Sequence, residues 1–193
     1  MYLDKTTAIK SISHHMECII KDLGLDLDSI HLKGTPDRVA RMFVNEMFSG
    51  MYDPMPKFTT FDNVNKVNEM TFLGPIDLFS TCSHHFKSFS GKAYIAYIPG
   101  RKLVGISKLA RITDWFARRP QVQEELNAQI ANFLDEMLEP EGIGVHIEAV
   151  HNCIRVRGAK QSSSVMKTTA LRGCFKTDKT VASEFMWMIQ NNK

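Results

Sequence analysis

The alternation of apolar and polar positions divides the chain into helical and extended stretches. Ala8, Ile9, Ile12, Met16, Ile19, Ile20 and Leu23 form one stripe at helical spacing, so a helix is expected over residues 5 to 23, stopped by Gly24. Gly34-Thr35-Pro36 opens a second helix, with Thr35 as its N-cap, Pro36 in its first position and an end near Met47. Val39, Met42, Phe43 and Met47 form its buried side. The stretch from Gly50 to Val67 reads as a long connection. Met70 to Ser80 and Gly91 to Pro99 read as strands, the second with apolar residues on both faces. Leu103 to Ile106 leads into a helix capped by Ser107 and reaching about Arg118. Val122, Leu126, Ile130, Phe133, Leu134 and Met137 mark another long helix. Gly142 to Gly158 and Val165 to Phe175 are expected as strands, and Ser183 to Gln190 as a short terminal helix.

The Gly142 to Gly158 stretch changes character along its length. Its odd positions run Ile143, Val145, Ile147, Ala149, His151, Cys153, Arg155, Arg157, and a regular strand places them all on one face. That face is apolar at first and then polar, while Ile154 and Val156 appear on the other, so the buried face must switch near Val150. Packing alone does not explain such a change, because buried Arg and thiolate need partners. His146, on the opposite face, reads as structural or exposed.

Composition narrows the class without naming a function. The chain has 193 residues, 44% hydrophobic and 23% charged, enough for a packed core. No apolar run approaches the roughly 20 residues of a membrane span. The first residues lack the apolar core of a secretory signal, so cytoplasm is the expected location and no membrane partner is expected. A net charge of +3 is too mild to argue for nucleic acid and suits a small anion if the charges converge. There is no internal repeat, low-complexity segment or Pro/Gly/Ser-rich linker. The four cysteines, Cys18, Cys82, Cys153 and Cys174, are interleaved with histidines, which in a cytosolic chain indicates metal or redox chemistry over disulfides.

Two short motifs carry the candidate chemistry: Cys82-Ser83-His84-His85 and, nearly seventy residues later, His151-Asn152-Cys153. Thiolate and imidazole are the preferred ligands of zinc, and a catalytic zinc takes three protein ligands and leaves one position for water. Cys82, His85 and Cys153 are the expected set, with His84 and His151 as spare imidazoles able to move protons. In a fully extended segment Cys82 and His85 point to opposite faces, so a shared metal requires a turn between them. Arg38 and Arg41 lie three apart on one helical face, which reads first as a solvated basic face and otherwise as a phosphate contact; Ser107, Lys108 and Arg111 open another helix, where free N–H groups and the macrodipole favour an anion. Glu124, beside Gln123 in a first helical turn, either stabilises the dipole or accepts two parallel N–H bonds from a guanine edge. His14 and Cys18, spaced i,i+4 on the first helix, read as surface or packing residues, and Cys174 as a packed free thiol within its strand.

These blocks resemble the GTP cyclohydrolase I family. The likeness covers nearly the whole chain, through Gly34-Thr35-Pro36, Cys82-Ser83-His84-His85, Gly91-Lys92-Ala93, Gly105-Ile106-Ser107-Lys108-Leu109-Ala110-Arg111, Arg118-Arg119-Pro120-Gln121-Val122-Gln123-Glu124, His151-Asn152-Cys153, Arg157-Gly158 and Thr168-Thr169-Ala170. The resemblance implies an α+β tunnelling fold (T-fold): an antiparallel sheet with helices packed on one side, closed into a barrel by oligomerisation. It implies an N-terminal helical region over residues 1–50 and a catalytic domain over 51–193. It further implies a homodecamer with active sites at subunit interfaces, and conversion of GTP and water to 7,8-dihydroneopterin triphosphate and formate with Zn2+ as cofactor. By position, Cys82, His85 and Cys153 match zinc ligands, and His84 and His151 match catalytic histidines. Ser107, Lys108, Arg111 and Arg157 match triphosphate contacts, Arg38 and Arg41 match basic residues donated towards the site, and Gln123 and Glu124 match the guanine-recognition pair.

The chain departs from the family pattern at three places. Ser83 stands where the family has Glu, Phe86-Lys87-Ser88-Phe89 replaces a more apolar segment containing Pro, and Arg41 stands where Lys is common. Two rival readings follow from the same residues. One is another T-fold purine or pterin enzyme, such as a nitrile reductase with a nucleophilic Cys and a nicotinamide cofactor. The other is a weakened or inactive GTP-binding homologue, which Ser83 invites.

Overall fold

The computed structural model describes residues 3–192. The chain forms two compact units, one running to Pro54 and the other starting at Met55.

The first unit is helical. Helix α1 (Lys5–Asp22) starts where Asp4 accepts a hydrogen bond from the Thr7 amide, and it buries Ala8 and Ile20. Helix α2 (Thr35–Met42) begins one residue earlier than the expected cap. Gly34 holds the cap position with φ 76°, a left-handed conformation that suits glycine, and Thr35 is already helical. The stretch expected as one helix to Met47 changes pitch at Phe43, where a π-helical turn carries Phe43–Met47. A short helix, α3 (Ser49–Tyr52), ends the unit.

In the second unit β1 (Thr60–Asp62) pairs with β4 (Lys102–Val104) as a small separate ribbon. The main sheet runs β5-β2-β3-β6-β7, from β2 (Thr71–Cys82), β3 (Ser88–Ile98), β5 (Pro120–Gln121), β6 (Gly142–His151) and β7 (Met166–Gly173). All its pairings are antiparallel except the short parallel contact of β5 with the end of β2. Two long helices, α4 (Ile106–Ala117) and α5 (Gln123–Leu138), carry Leu109, Ile112, Phe116, Leu126, Ile130 and Leu134. These pack with Ala93, Ile95, Tyr97, Ile143, Val145 and Ile147 into the larger core.

The expectation of helices on one side of the sheet is corrected by the C-terminal segment. Alternate residues of a strand face opposite ways. Tyr94 and Ala96 therefore belong to a second core, completed by Phe175, Phe185 and Ile189 from α7 (Cys174–Thr177) and α8 (Lys179–Asn191). A Cβ placed on Gly144 would meet the Phe175 and Phe185 rings, so this glycine admits α8 to that face. Helix α8 is longer than the Ser183–Gln190 stretch expected, because Asp178 caps it by accepting from the Thr180 amide. Cys174 is not in a strand, since β7 ends at Gly173 and Cys174 begins α7. His146 is buried rather than exposed, with Nδ1 2.7 Å from Thr169 Oγ1.

Candidate active site

The turn required between Cys82 and His85 is present. Cys82 ends β2, its carbonyl accepts from the Phe86 amide at 2.9 Å, and its own amide donates to the Lys87 carbonyl at 2.9 Å. Phe86 takes φ 50° in this turn. The chain therefore folds back into β3 with His84 and His85 on the exposed loop.

The second motif is placed differently from the expected continuous strand. Strand β6 stops at His151, and Asn152–Arg155 forms a single helical turn, α6. Leaving the strand at that point, with Ile154 and Val156 exposed, explains the change of face seen in the sequence. Because β6 pairs with β3 in the register Phe89↔His151, both motifs arrive at the same end of the sheet.

A cavity of about 430 Å³ opens there, lined among others by Cys82, His84, Gln123, Glu124, His151 and Cys153. All four cysteines of the chain are free thiols. Burial, and then the neighbouring Cys82, push the Cys153 thiol above its ordinary pKa. His84 Nδ1 lies 3.8 Å from Cys82 Sγ. His85 is turned elsewhere: its Nε2 stands 3.1 Å from Arg157 Nη1, whose N–H it accepts. Among the described residues no three His, Cys, Asp or Glu side chains form a ready coordination shell. The donor chemistry nevertheless fits zinc, with two adjoining thiols and imidazoles on the flanking turn. For His85 to be the third ligand, either its Nδ1 faces the metal or its Nε2 exchanges the Arg157 N–H for it.

His151 is the most firmly held imidazole of the site. Its ring stacks on Phe89 with centroids 4.4 Å apart and planes within 7° of parallel. Nε2 lies 2.8 Å from Gln123 Oε1. Burial lowers its pKa, opposed by the Glu124 carboxylate. Helix α5 begins at Gln123 and has Glu124 in its first turn, so one exposed carboxylate and one buried amide flank the same imidazole.

Ser107, Lys108 and Arg111 are not among the residues that line the cavity. Ser107, Lys108 and Arg111 sit on α4, where Gly105, not Ser107, holds the cap position. Ser107 and Arg111 are exposed and Lys108 is half-buried. Arg38 and Arg41 belong to α2 of the first unit. Arg38 donates to Thr35 Oγ1 at 2.7 Å, and Arg41 pairs with Asp37 at 2.6 Å. Sequence reasoning missed Phe89 as the platform under His151. Its signal was present: an aromatic on the same strand face as Gly91 and Ala93, directly after the first motif.

Thiols, imidazoles and a carboxylate gathered at one open end of an α+β sheet are the groups with which enzymes bind metals and move protons. Comparison with known proteins says which kind of enzyme this is. The profile of GTP cyclohydrolase I matches residues 12–190, and the chain belongs to that family of hydrolases. It is 46% identical over 178 residues to the GTP cyclohydrolase 1 of Aeromonas salmonicida (strain A449), covering 92% of this chain and 82% of that protein. It is 42% identical over 191 residues to the GTP cyclohydrolase 1 of Yersinia enterocolitica (serotype O:8 / biotype 1B), covering 98% and 87%. Among solved structures, the archaeosine synthase QueF-Like in its apo form superposes more loosely, with TM-score 0.44 and 17% identity over 54% of this chain and 93% of that one. No helix among the described residues is long and apolar enough to cross a membrane.

Proposed function

We propose that the chain opens the imidazole ring of GTP hydrolytically at C8, releasing formate and forming 7,8-dihydroneopterin triphosphate, with zinc as its cofactor. The observation that carries this reading is the convergence of Cys82, Cys153, His84, His151 and Glu124 on one cavity. Cys82, Cys153 and His85 would hold the metal. Zinc held there would act as a Lewis acid and so make water a nucleophile at neutral pH.

The remaining work belongs to the protein's own groups. Glu124 accepts the two parallel N–H bonds of the guanine N1 and N2 edge, which presents C8 to the thiol end of the cavity. Water adds across N7=C8, with His151 giving the proton to the purine and His84 supporting that transfer. The C8–N9 bond then breaks, leaving a formamide. A second water releases formate from N7. The opened ribose rearranges and closes the pterin ring with loss of one water. Lys108, Arg111 and Arg157, helped by Ser107, Arg38 and Arg41, carry the triphosphate. The exposure of Ser107 and Arg111 on α4, apart from the cavity lining, supports a site completed by a second subunit of a homodecamer. A small anionic nucleotide, and neither nucleic acid nor membrane, is the partner, and the cytoplasm is the proposed location.

Incubating zinc-loaded protein with GTP should release formate and leave a product that fluoresces as a pterin after oxidation. No pterin from a zinc-loaded, oligomeric preparation would overturn the proposal. Replacing His151 with Ala should leave zinc content unchanged and lower formate release by about 10²-fold or more. Normal turnover in that variant would remove His151 from the mechanism.

A further inference from the structure

The resemblance groups Gln123 with Glu124 as readers of guanine. The hydrogen bonds of the Gln123 side chain suggest a different task. Gln123 is the first residue of α5 and is 0% exposed. Its amide nitrogen lies 3.1 Å from the Ile147 carbonyl oxygen, 3.2 Å from the Met166 carbonyl oxygen and 3.1 Å from Thr168 Oγ1. Two of these three partners are backbone carbonyls, which can only accept. The orientation of the amide is therefore not free. Turning it over would set Oε1 against two carbonyl oxygens of β6 and β7 in a dry site, leaving unpaired acceptors that cost about 1–3 kcal/mol each.

With its nitrogen committed, Gln123 can offer His151 only an oxygen. That oxygen lies 2.8 Å from His151 Nε2, and a carbonyl-type oxygen requires a donor opposite it. Nε2 must therefore carry the hydrogen. In the neutral ring the lone pair is then on Nδ1. Phe89 fixes the plane of the ring by stacking, and Gln123 fixes which way round it stands within that plane. The two restraints are independent, because one comes from β3 and the other from α5.

We propose that Gln123 is a positioning residue that holds His151 in the Nε2–H tautomer and aims Nδ1 as the proton-moving nitrogen, so that guanine recognition at this helix end falls to Glu124 and not to the Gln123 side chain. This rests on the proposed reading of His151 in GTP ring opening and assigns one residue of that machinery a different role. Every one of these partners of the Gln123 amide is a protein atom.

Two measurements test it. In zinc-loaded protein labelled with ¹⁵N-histidine, the His151 ring above neutral pH should show its proton on Nε2 and its lone pair on Nδ1. In Gln123→Met, similar in length and lacking the acceptor, that signature should give way to a mixture of tautomers. The same variant should lose about 10- to 100-fold in kcat, the usual range for removing a group that orients a functional imidazole, with KM for GTP changed less than about two-fold. A wild-type His151 protonated on Nδ1 overturns the proposal. So does a Gln123→Met enzyme that keeps its kcat while KM for GTP rises, since that is the behaviour of a direct substrate contact. If Gln123→Met does not fold, the wild-type tautomer alone decides. If wild-type protein does not convert GTP, the reading of the function fails, while the tautomer measurement still stands or falls by itself.

Discussion

Glu124 and Gln123 are neighbours in the first turn of α5, and their surroundings give them opposite characters. Glu124 is exposed at the cavity, while Gln123 lines the same cavity with its side chain fully buried in the wall. A carboxylate has two equivalent acceptors for the two N–H groups of guanine, while a glutamine has only one oxygen to offer. Glu124→Gln should therefore raise KM for GTP by about ten- to a hundredfold, the equivalent of losing one charge-assisted hydrogen bond. It should also narrow the preference for GTP over ITP, which lacks the exocyclic amino group. Steady-state kinetics with both nucleotides would check this, and an unchanged preference would place guanine recognition elsewhere. At this scale the sequence is legible where chemistry is carried by rare residue types. Cys82, His84, His151 and Cys153 stand out by type and spacing alone. The inward turn of Gln123 does not, because it depends on carbonyls of Ile147 and Met166 that become available only when β6 and β7 pair. The swing of His85 to Arg157 is hidden for the same reason: the partner lies 72 positions away.

At the scale of elements, the site depends on the register between β3 and β6. Ten residue pairs hold the two strands together, and the pair Phe89↔His151 sets the imidazole over its aromatic platform. Two residues along, Gly91 faces Ala149, and a Cβ on Gly91 would run into the Glu148 carbonyl and the Ala149 Cα. Both are backbone atoms that cannot step aside as a side-chain tip can. Gly91→Ala must therefore part the strands locally, with a cost of about 1–3 kcal/mol as for other overpacked interiors. The expected result is a lower urea midpoint with an unchanged m-value, together with a fall in kcat as the Phe89–His151 stack is disturbed. Lys92→Ala, next in the chain but half-exposed and paired with Asp77, should shift stability by less than about 0.5 kcal/mol. Equal losses in both variants would mean that Gly91 is not the point of close approach. Most elements were legible here because periodicity reports burial, as in the strands around Ile76 and Ile95. The misplacements came where the backbone answers to something other than periodicity. Strand β6 gives way to a helical turn at Asn152, which turns Cys153 towards the cavity, and Gly105 takes the cap expected of Ser107.

For the molecule as a whole, the question is whether the proposed zinc would be needed to fold the protein or only to run its chemistry. The larger core is built from the inner faces of β2, β3 and β6 against α4 and α5, with Ile95, Leu126, Ile130, Leu134, Val145 and Ile147 fully buried. The expected zinc ligands hang from the end of this structure: Cys82 on the last residue of β2, His85 on the exposed turn and Cys153 in the helical turn after β6. Domains that depend on a structural zinc have little apolar core and unfold without it. The core described here has no such need, and Cys82 is the only one of the three ligands that contributes a buried side chain to it. Removing the metal with a strong chelator should therefore abolish formate release and leave the far-UV circular dichroism unchanged. The thermal midpoint should fall only by the amount that loss of a bound ligand imposes through mass action. Adding back zinc in slight excess should restore turnover without a refolding step. If instead the sheet signal collapses with the metal, the two thiols act as a clasp between β2 and the end of β6, and the site's rigidity depends on the ion rather than on the core beneath it.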